Sequence, residues 1–346
     1  MMLHPTLSII VPVHNGERTI ARCLAHLLSS ELDGPFEVIV VDDGSTDGTS
    51  AIVREQRDVR LVRTGARAGP ARARNLGAAH ARGDDVLFVD ADMLVKPSTA
   101  RALLAALRQH PEACAVIGAQ DTVCPWPNLT SQYRNLRHHC NHARSSGRLV
   151  PNFWSGCGLI RREMLRRVGG FDERLTSACV EDVDLGYRLQ RLGAQVVLCA
   201  DITAVHDKRW TLGQALKVDL LHRAVPWTGL LWRHGLRGRH VDVQPCNAVC
   251  AGLALAGAVA LFLPWGGALT LLCLVGIALL ERRFLGFLRR QRGAAFTAQA
   301  FWLHVLYFLA GAVGLVVGTV LVPFQRARVR RPVPSLHADL SPASRD

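Results

Sequence analysis

At 346 residues the chain has room for about two domains. Its formal charge of +13 at pH 7 could suit a nucleic acid, but much of the excess is arginine beside apolar stretches, where anionic lipid headgroups are the better partner, so no nucleic acid is expected. Ten cysteines without a C-x-x-C pair argue against a zinc site or a disulfide framework, and in a reducing compartment they read as small buried residues.

The N-terminal "MMLHPTLSIIVPV" lacks a basic n-region, and its apolar run is short and β-branched, so the first domain is expected to stay in the cytosol. "LSIIVPVHNG" reads as a buried strand ending in a turn, followed by the helical pattern "ERTIARCLAHLLSS". "FEVIVVDDGSTDGTS" repeats the scheme, with a helix from about Gly48 to Gln56. A short strand "VRLVR", the small-residue helix in "ARAGPARARNLGAAHARG" and the strand opening "DVLFVDAD" come next. Buried strands alternating with helices predict a parallel, doubly wound α/β sheet, in which ligands bind beyond the carboxyl ends of the strands. The clusters "HNGE", "DDGS" and "DAD" all fall at those ends and are expected to share one crevice.

Asp90 and Asp92 close the last of these strands with only Ala91 between them. Strand alternation would point both carboxylates the same way, and two such acids repel unless a cation lies between them. Mg2+ or Mn2+, completed by substrate phosphates, suits that pair; solvated loop residues are the plainer alternative. Asp42 and Asp43 end the second strand, where turn capping and ligand binding are both open. Arg72, Arg74 and Asn75 begin a helix, a favourable place to meet phosphate. Farther on, Gly156 and Gly158 would let backbone approach a ligand closely. Glu181, Asp182 and Asp184 open the helix "EDVDLGYRLQRLG", which Gly193 stops. They suit the helix dipole, and a carboxylate there could also take a proton from an attacking hydroxyl. His206 follows another strand end and is either structural or a further metal ligand.

These features divide the chain into a soluble α/β domain over 1–232, a membrane region over 233–325 and a basic, disordered tail over 326–346. Within the first, a helix near 211–227, ended by Pro226, would lie along a bilayer surface or pack under the domain. Two or three apolar helices are expected in the second, at about 246–263, 266–280 and 296–322; the middle one is short for a crossing. Arg233, Arg237 and Arg239 precede them, and Arg282, Arg283, Arg289, Arg290 and Arg292 separate the last two, which favours a multi-pass protein of the inner membrane with its first domain cytosolic.

Four stretches in series, "SIIVPVHNGERTI", "VIVVDDGSTDGT", "ARARNLGAAHARGDDVLFVDADM" and "SGCGLIRREMLRRVGGFDERLTSACVEDVDLGYRLQRLG", resemble glycosyltransferase family 2 in its membrane-anchored bacterial form. The resemblance implies a GT-A nucleotide-sugar-binding fold, followed by the transmembrane helices. It implies that Asp43 meets the nucleotide base with Arg74 nearby, and that Pro12, His14, Glu17, Asp90 and Ala91 line the donor site. Asp92, with Asp90 and His206, would hold the Mg2+ or Mn2+ that bridges the donor diphosphate. Asp182 matches the proposed general base, with Glu181 beside it, and Gly156, Arg223 and Trp227 would lie near the acceptor or diphosphate. "LLHRAVPW" departs from the Gln-x-x-Arg-Trp motif of processive synthases, which argues against polymer synthesis. The function implied is metal-dependent, inverting, non-processive transfer from a nucleotide sugar, a UDP-sugar by preference, to a lipid or lipid-linked glycan acceptor at the cytosolic membrane face. A nucleotidyltransferase and a non-catalytic nucleotide-sugar sensor or partner subunit are the competing readings.

Overall fold

The computed structural model describes residues 4–147, 149–175, 179–234 and 245–329. The chain divides into two compact units. The first comprises the residues up to Ala119 together with Ser146–Val205, and the second comprises Gln120–Ser145 with His206–Ala327.

In chain order the elements are β1 (Leu7–Val13), α1 (Ile20–Leu28), β2 (Phe36–Asp42), α2 (Thr49–Arg54), β3 (Val59–Arg63), α3 (Pro70–His80), β4 (Asp85–Val89), β5 (Met93–Val95), α4 (Thr99–Gln109) and β6 (Ala113–Gln120). There follow α5 (Leu129–Ala143), β7 (Leu149–Val150), β8 (Cys157–Arg161), α6 (Arg162–Arg167), α7 (Glu181–Arg191) and β9 (Gln195–His206). Then come α8 (Leu212–Lys217), a π-helical turn (Val218–Ala224), α9 (Val225–His234), α10 (Pro245–Ala260), α11 (Gly266–Leu280) and α12 (Arg282–Val329).

Among the described residues nine strands form one sheet in the order β3-β2-β1-β4-β8-β6-β9-β5, with β7 on β9. β3, β2, β1 and β4 are parallel neighbours, as the β-branched runs predict. The parallel pattern then stops, because β8 runs antiparallel to both β4 and β6. The sheet is therefore mixed. Ile9, Val11, Val38, Val40, Leu87 and Val89 are essentially excluded from water and pack with Leu24 and Leu27 of α1 and Leu103 of α4. At about 25 cal/mol per Å2 of apolar surface removed from water, this core is what holds the crevice-forming strand ends in register.

The second unit gathers α5 with the C-terminal helices. Tyr133, Leu136 and Cys140 of α5 form a core with Phe284, Leu288 and Ala300 of α12, while Cys250 and Ala254 of α10 meet Ile277 of α11 and Phe308. α12 is broken at Gly293, whose φ of 84° only glycine adopts without strain. Gly314 and Gly318 of α12 face Ala224 and Thr228; a Cβ on Gly318 would come within 2.6 Å of the Thr228 side chain. This is the small-residue packing by which apolar helices approach closely.

Pro226 does not end its helix. The π-helical turn lies directly before it, and Pro226 occupies the second position of α9, where a missing N–H costs little. Arg237, Arg239 and residues 330–346 of the expected tail lie outside the described residues.

Candidate active site

The parallel half of the sheet delivers its strand ends to one edge. β2 ends in Asp42, which is fully buried and accepts hydrogen bonds from the Ser45 N–H at 2.8 Å and from the Ser50 hydroxyl, with Arg63 at 3.5 Å. Burial pushes its carboxyl up, but Ser50, Ser45 and Arg63 outweigh that and hold it below the ordinary value. Asp42 is thus committed to its own turn. Asp43, also buried, accepts from the Ala68 and Gly69 N–H groups at 2.8 Å each and from the Thr64 hydroxyl at 3.0 Å, fixing the loop that enters α3. His14 donates from Nδ1 to the Asp43 carbonyl at 2.9 Å. Glu17 accepts from the Gly48 N–H at 3.0 Å, and Pro12 lies on β1 opposite Val41. Asn15, which sequence reasoning passed over, adopts a φ of 51° and accepts from the Thr46 N–H at 2.8 Å. The "HNGE" and "DDGS" turns are therefore laced together.

β4 stops at Val89, so Asp90 and Asp92 do not alternate along a strand. They lie on a turn closed by the Met93 N–H donating to the Asp90 carbonyl at 2.9 Å, with Ala91 half-buried between them. Both carboxylates nevertheless act on one neighbour. The Cys23 thiol is pushed far up, first by burial and then by Asp92 and Asp90. Among the described residues no group of three or more His, Cys, Asp or Glu side chains could hold a metal by itself. Two hard carboxylates, one of them 38% exposed, fit a divalent ion whose remaining ligands come from a diphosphate.

Arg74 is the centre of the cluster. Only 4% exposed, it donates from Nη2 to Asp90 Oδ1 at 2.8 Å and from Nη1 to Glu181 Oε1 at 2.6 Å. Burial pulls its guanidinium down, yet Asp90, Glu181 and Asp182 together overcome that and keep it firmly protonated. Its neighbour Asn75 ties α3 to the segment before α7, donating to the Phe171 carbonyl at 2.9 Å and accepting from the Phe171 N–H at 2.8 Å. Arg72 meets Glu173 at 3.5 Å with half its side chain in solvent.

Glu181 and Asp182 open α7. Glu181 is 2% exposed and also accepts from the Val180 N–H at 3.0 Å. Asp182 accepts from the Val183 N–H at 2.8 Å and, through Oδ2, from the Ser155 hydroxyl at 3.3 Å. Its carboxyl is raised from 3.8 to about 7, chiefly by burial and next by the charge of Glu181, while Arg74 and the Ser155 N–H pull it back. Ser155, 2% exposed, was not singled out in the sequence. Its only signal there was its place before Gly156.

Gly156 and Gly158 make room for the protein's own side chains. A Cβ on Gly156 would stand 2.7 Å from the Trp154 ring, and one on Gly158 would strike Phe153 at 2.7 Å. Gly156 also accepts from the Asp90 N–H at 3.4 Å, which joins β8 to the carboxylate turn. The remaining candidates belong to the second unit. His206 is the half-buried last residue of β9, Arg223 lies in the π-helical turn and Trp227 is buried in α9.

Residues 8–169 match the sequence profile described as Glycosyl transferase family 2. The match covers slightly under half of the chain. The matched segment contains Asp43, Arg74, Asp90 and Asp92, whereas Glu181 and Asp182 fall just beyond it. Validoxylamine A glucosyltransferase of Streptomyces hygroscopicus subsp. limoneus is 30% identical over 59% of this chain and 52% of its own length. Probable glycosyltransferase YdaM of Bacillus subtilis is 28% identical over 56% of this chain and 48% of its own. The chain thus spans about half the length of these relatives. The fold is similar to that of a mannosyltransferase from Pyrobaculum calidifontis, solved with GDP-Man and Mn2+, at a TM-score of 0.55 and 22% identity over 94% of this chain and 89% of that one. This likeness identifies the sheet as the GT-A fold.

Proposed function

We propose that the protein is a metal-dependent, inverting and non-processive glycosyltransferase that moves a sugar from a nucleotide diphosphate donor to a lipid or lipid-linked acceptor at a membrane. The observation that carries this reading is the Asp90–Arg74–Glu181 bridge. It joins the Asp-x-Asp turn to the acidic start of α7 and leaves Asp182 beside it with a carboxyl near neutrality. The similar mannosyltransferase solved with GDP-Man supports a nucleotide-sugar donor, and the UDP preference rests on the resemblance of the sequence motifs alone.

Asp90 and Asp92 would hold Mg2+ or Mn2+, which when bound supplies positive charge to the departing diphosphate. Asp182 Oδ2, oriented by Ser155, takes the proton from the attacking acceptor hydroxyl. A carboxyl titrating near 7 is matched to that task at neutral pH. Arg74 holds Asp90 and Glu181 through its two terminal nitrogens and balances the three acids around it. One displacement from the face opposite the leaving group inverts the anomeric carbon. Asp43, His14, Glu17 and Pro12 would shape the nucleotide end.

The membrane reading draws on α12, whose Arg282–Leu321 stretch is long and apolar enough to cross a bilayer. α10 and α11 are shorter, but Phe262 and Trp265 at their joining turn are 90% and 89% exposed, and no ionisable side chain other than a thiol occurs from Cys246 to Leu280. Arginines flank these stretches in the manner of a cytosolic face, which supports a place in the inner membrane with the catalytic domain inside and a role in glycolipid or polysaccharide synthesis for the cell envelope.

The test is transfer itself. Protein in detergent is incubated with isotopically labelled UDP- and GDP-sugars and a bacterial lipid extract, and label is followed into the organic phase. The reading expects one donor to label lipid, with the anomeric configuration of the product opposite to that of the donor by NMR. Retention of configuration would overturn the single displacement, and binding of donor without transfer would favour the sensor or partner-subunit reading.

A further inference from the structure

We propose that Gly186 is a positioning residue for Asp182: lacking a side chain, it lets the segment 151–155 lie close enough on α7 for Ser155 to reach the carboxylate. The proposal deepens the reading above and rests on Asp182 as the base.

Gly186 stands where a helix should not want glycine. It lies in the interior of the 11-residue α7, one turn after Asp182 and on the same face. Glycine there costs about 1 kcal/mol relative to alanine. The reason lies across the contact. A Cβ on Gly186 would stand 2.5 Å from the Asn152 Cα, 2.6 Å from the Phe153 backbone nitrogen and 2.6 Å from the Pro151 carbonyl oxygen. All three are backbone atoms, so no change of rotamer relieves the clash, and segment and helix would have to part by about 1 Å to reach ordinary carbon–carbon separation. Neither side yields freely. Val150 before the segment pairs with Val196, Cys157 after it pairs with Val89, and the fully buried Phe153 ring stands edge-on to Phe88 with 6.1 Å between ring centres. α7 is tethered in turn by the 2.6 Å ion pair from Glu181 to Arg74.

Closeness matters because the contact it permits has no slack. Ser155 donates to Asp182 Oδ2 from its hydroxyl at 3.3 Å and from its N–H at 3.4 Å, both near the outer limit of a hydrogen bond. Parting the two by about 1 Å at Gly186 breaks both bonds, yet a gap that narrow admits no water, so the carboxyl stays buried. The charged groups that act on Asp182 are Glu181 and Asp90, which oppose its ionisation, and Arg74, which favours it. The segment 151–155 adds no charge, only the two Ser155 donors. Losing those donors therefore moves the carboxyl further up.

The full chain in detergent is followed by melting temperature against pH, which needs neither donor nor acceptor, and by kcat/KM against pH in the transfer assay. The stability that the Asp182 proton contributes is lost as pH rises through its folded-state value, about 7 in the wild type. Gly186→Ala should therefore carry the fall in melting temperature, and the rise of kcat/KM, upward by about half a pH unit or more, with the affinity for UDP and Mn2+ kept. Ser155→Ala, which removes one of the two donors and introduces no clash, should shift both profiles in the same sense by less. Gly186→Ala/Ser155→Ala should go no further than Gly186→Ala alone, because one contact is lost in both. A double variant whose shift is the sum of the singles would make Gly186 a packing glycine and overturn the proposal. Profiles of Ser155→Ala that coincide with the wild type would overturn it as well, whether or not Gly186→Ala folds. Asp182→Asn separates the two readings: full transfer in that variant refutes the base beneath the proposal, whereas an inactive Asp182→Asn beside unshifted Gly186→Ala profiles refutes the role of Gly186 alone.

Discussion

Replacing Arg74 by methionine isolates what its two ion pairs contribute. The substitution keeps much of the side-chain volume and removes the cation that both Glu181 and Asp90 contact, at 2.6 and 2.8 Å. The two pairs are unequal. Glu181 is 3% exposed and loses its cation in a dry setting, whereas Asp90 is 38% exposed and is rescued by water. Breaking a buried pair costs about 3–5 kcal/mol, and we take about 3 because only one of the two carboxylates is stranded. At roughly 2–4 °C per kcal/mol for a domain of this size, the melting temperature of the full chain in detergent should fall by about 6–12 °C. The double variant Arg74→Met/Glu181→Gln should recover at least half of that loss, since the buried charge without a partner is gone. A melting temperature unchanged in the single variant, or a double variant less stable than the single, would refute the claim that Arg74 exists to balance Glu181.

Other consequences follow from the same geometry. Because Asp182 must be ionised to accept a proton and its carboxyl lies at about 7, kcat/KM should rise through neutral pH, and Asp182→Asn should abolish both the rise and most of the activity in a pH-rate profile. The same shift acts on stability with the opposite sense. The folded state holds this proton where the unfolded chain has lost it, so the Asp182 contribution falls between about pH 4 and 7 and Asp182→Asn should flatten melting temperature against pH over that window. Asp92→Asn should weaken Mn2+ binding in the presence of UDP by about tenfold or more, read by electron paramagnetic resonance. Gly318→Leu should destabilise the second unit by about 1–3 kcal/mol in a melting scan, because even a Cβ there comes within 2.6 Å of the Thr228 side chain.

The sequence carried the local facts well. Runs such as "FEVIVV" and "DVLFV" are rich in β-branched and apolar residues and largely buried, and they form the parallel strands whose ends bear Asp43 and Asp90. Pairings between distant positions were not legible. Nothing in the spacing of Arg74 and Glu181, 107 residues apart, shows that they meet, and β8 gives no local sign of its antiparallel place between β4 and β6. Residues of one type also served unforeseen neighbours. Gly156 is small for the sake of Trp154, and Pro226 sits inside a helical segment because the π-helical turn before it absorbs the missing hydrogen bond. Asp42 illustrates a third limit: a pair of acids at a strand end looked like one unit, but burial committed Asp42 to the Ser45 turn and Asp43 to the loop before α3.

The measurement that tests the account most directly is nucleoside diphosphate release from a panel of UDP- and GDP-sugars, with and without Mn2+, for the wild-type chain beside Asp92→Ala. The account predicts Mn2+-dependent release from one donor that vanishes in the variant. Release that is indifferent to Mn2+ and unchanged in Asp92→Ala would contradict the role given to the Asp-x-Asp turn.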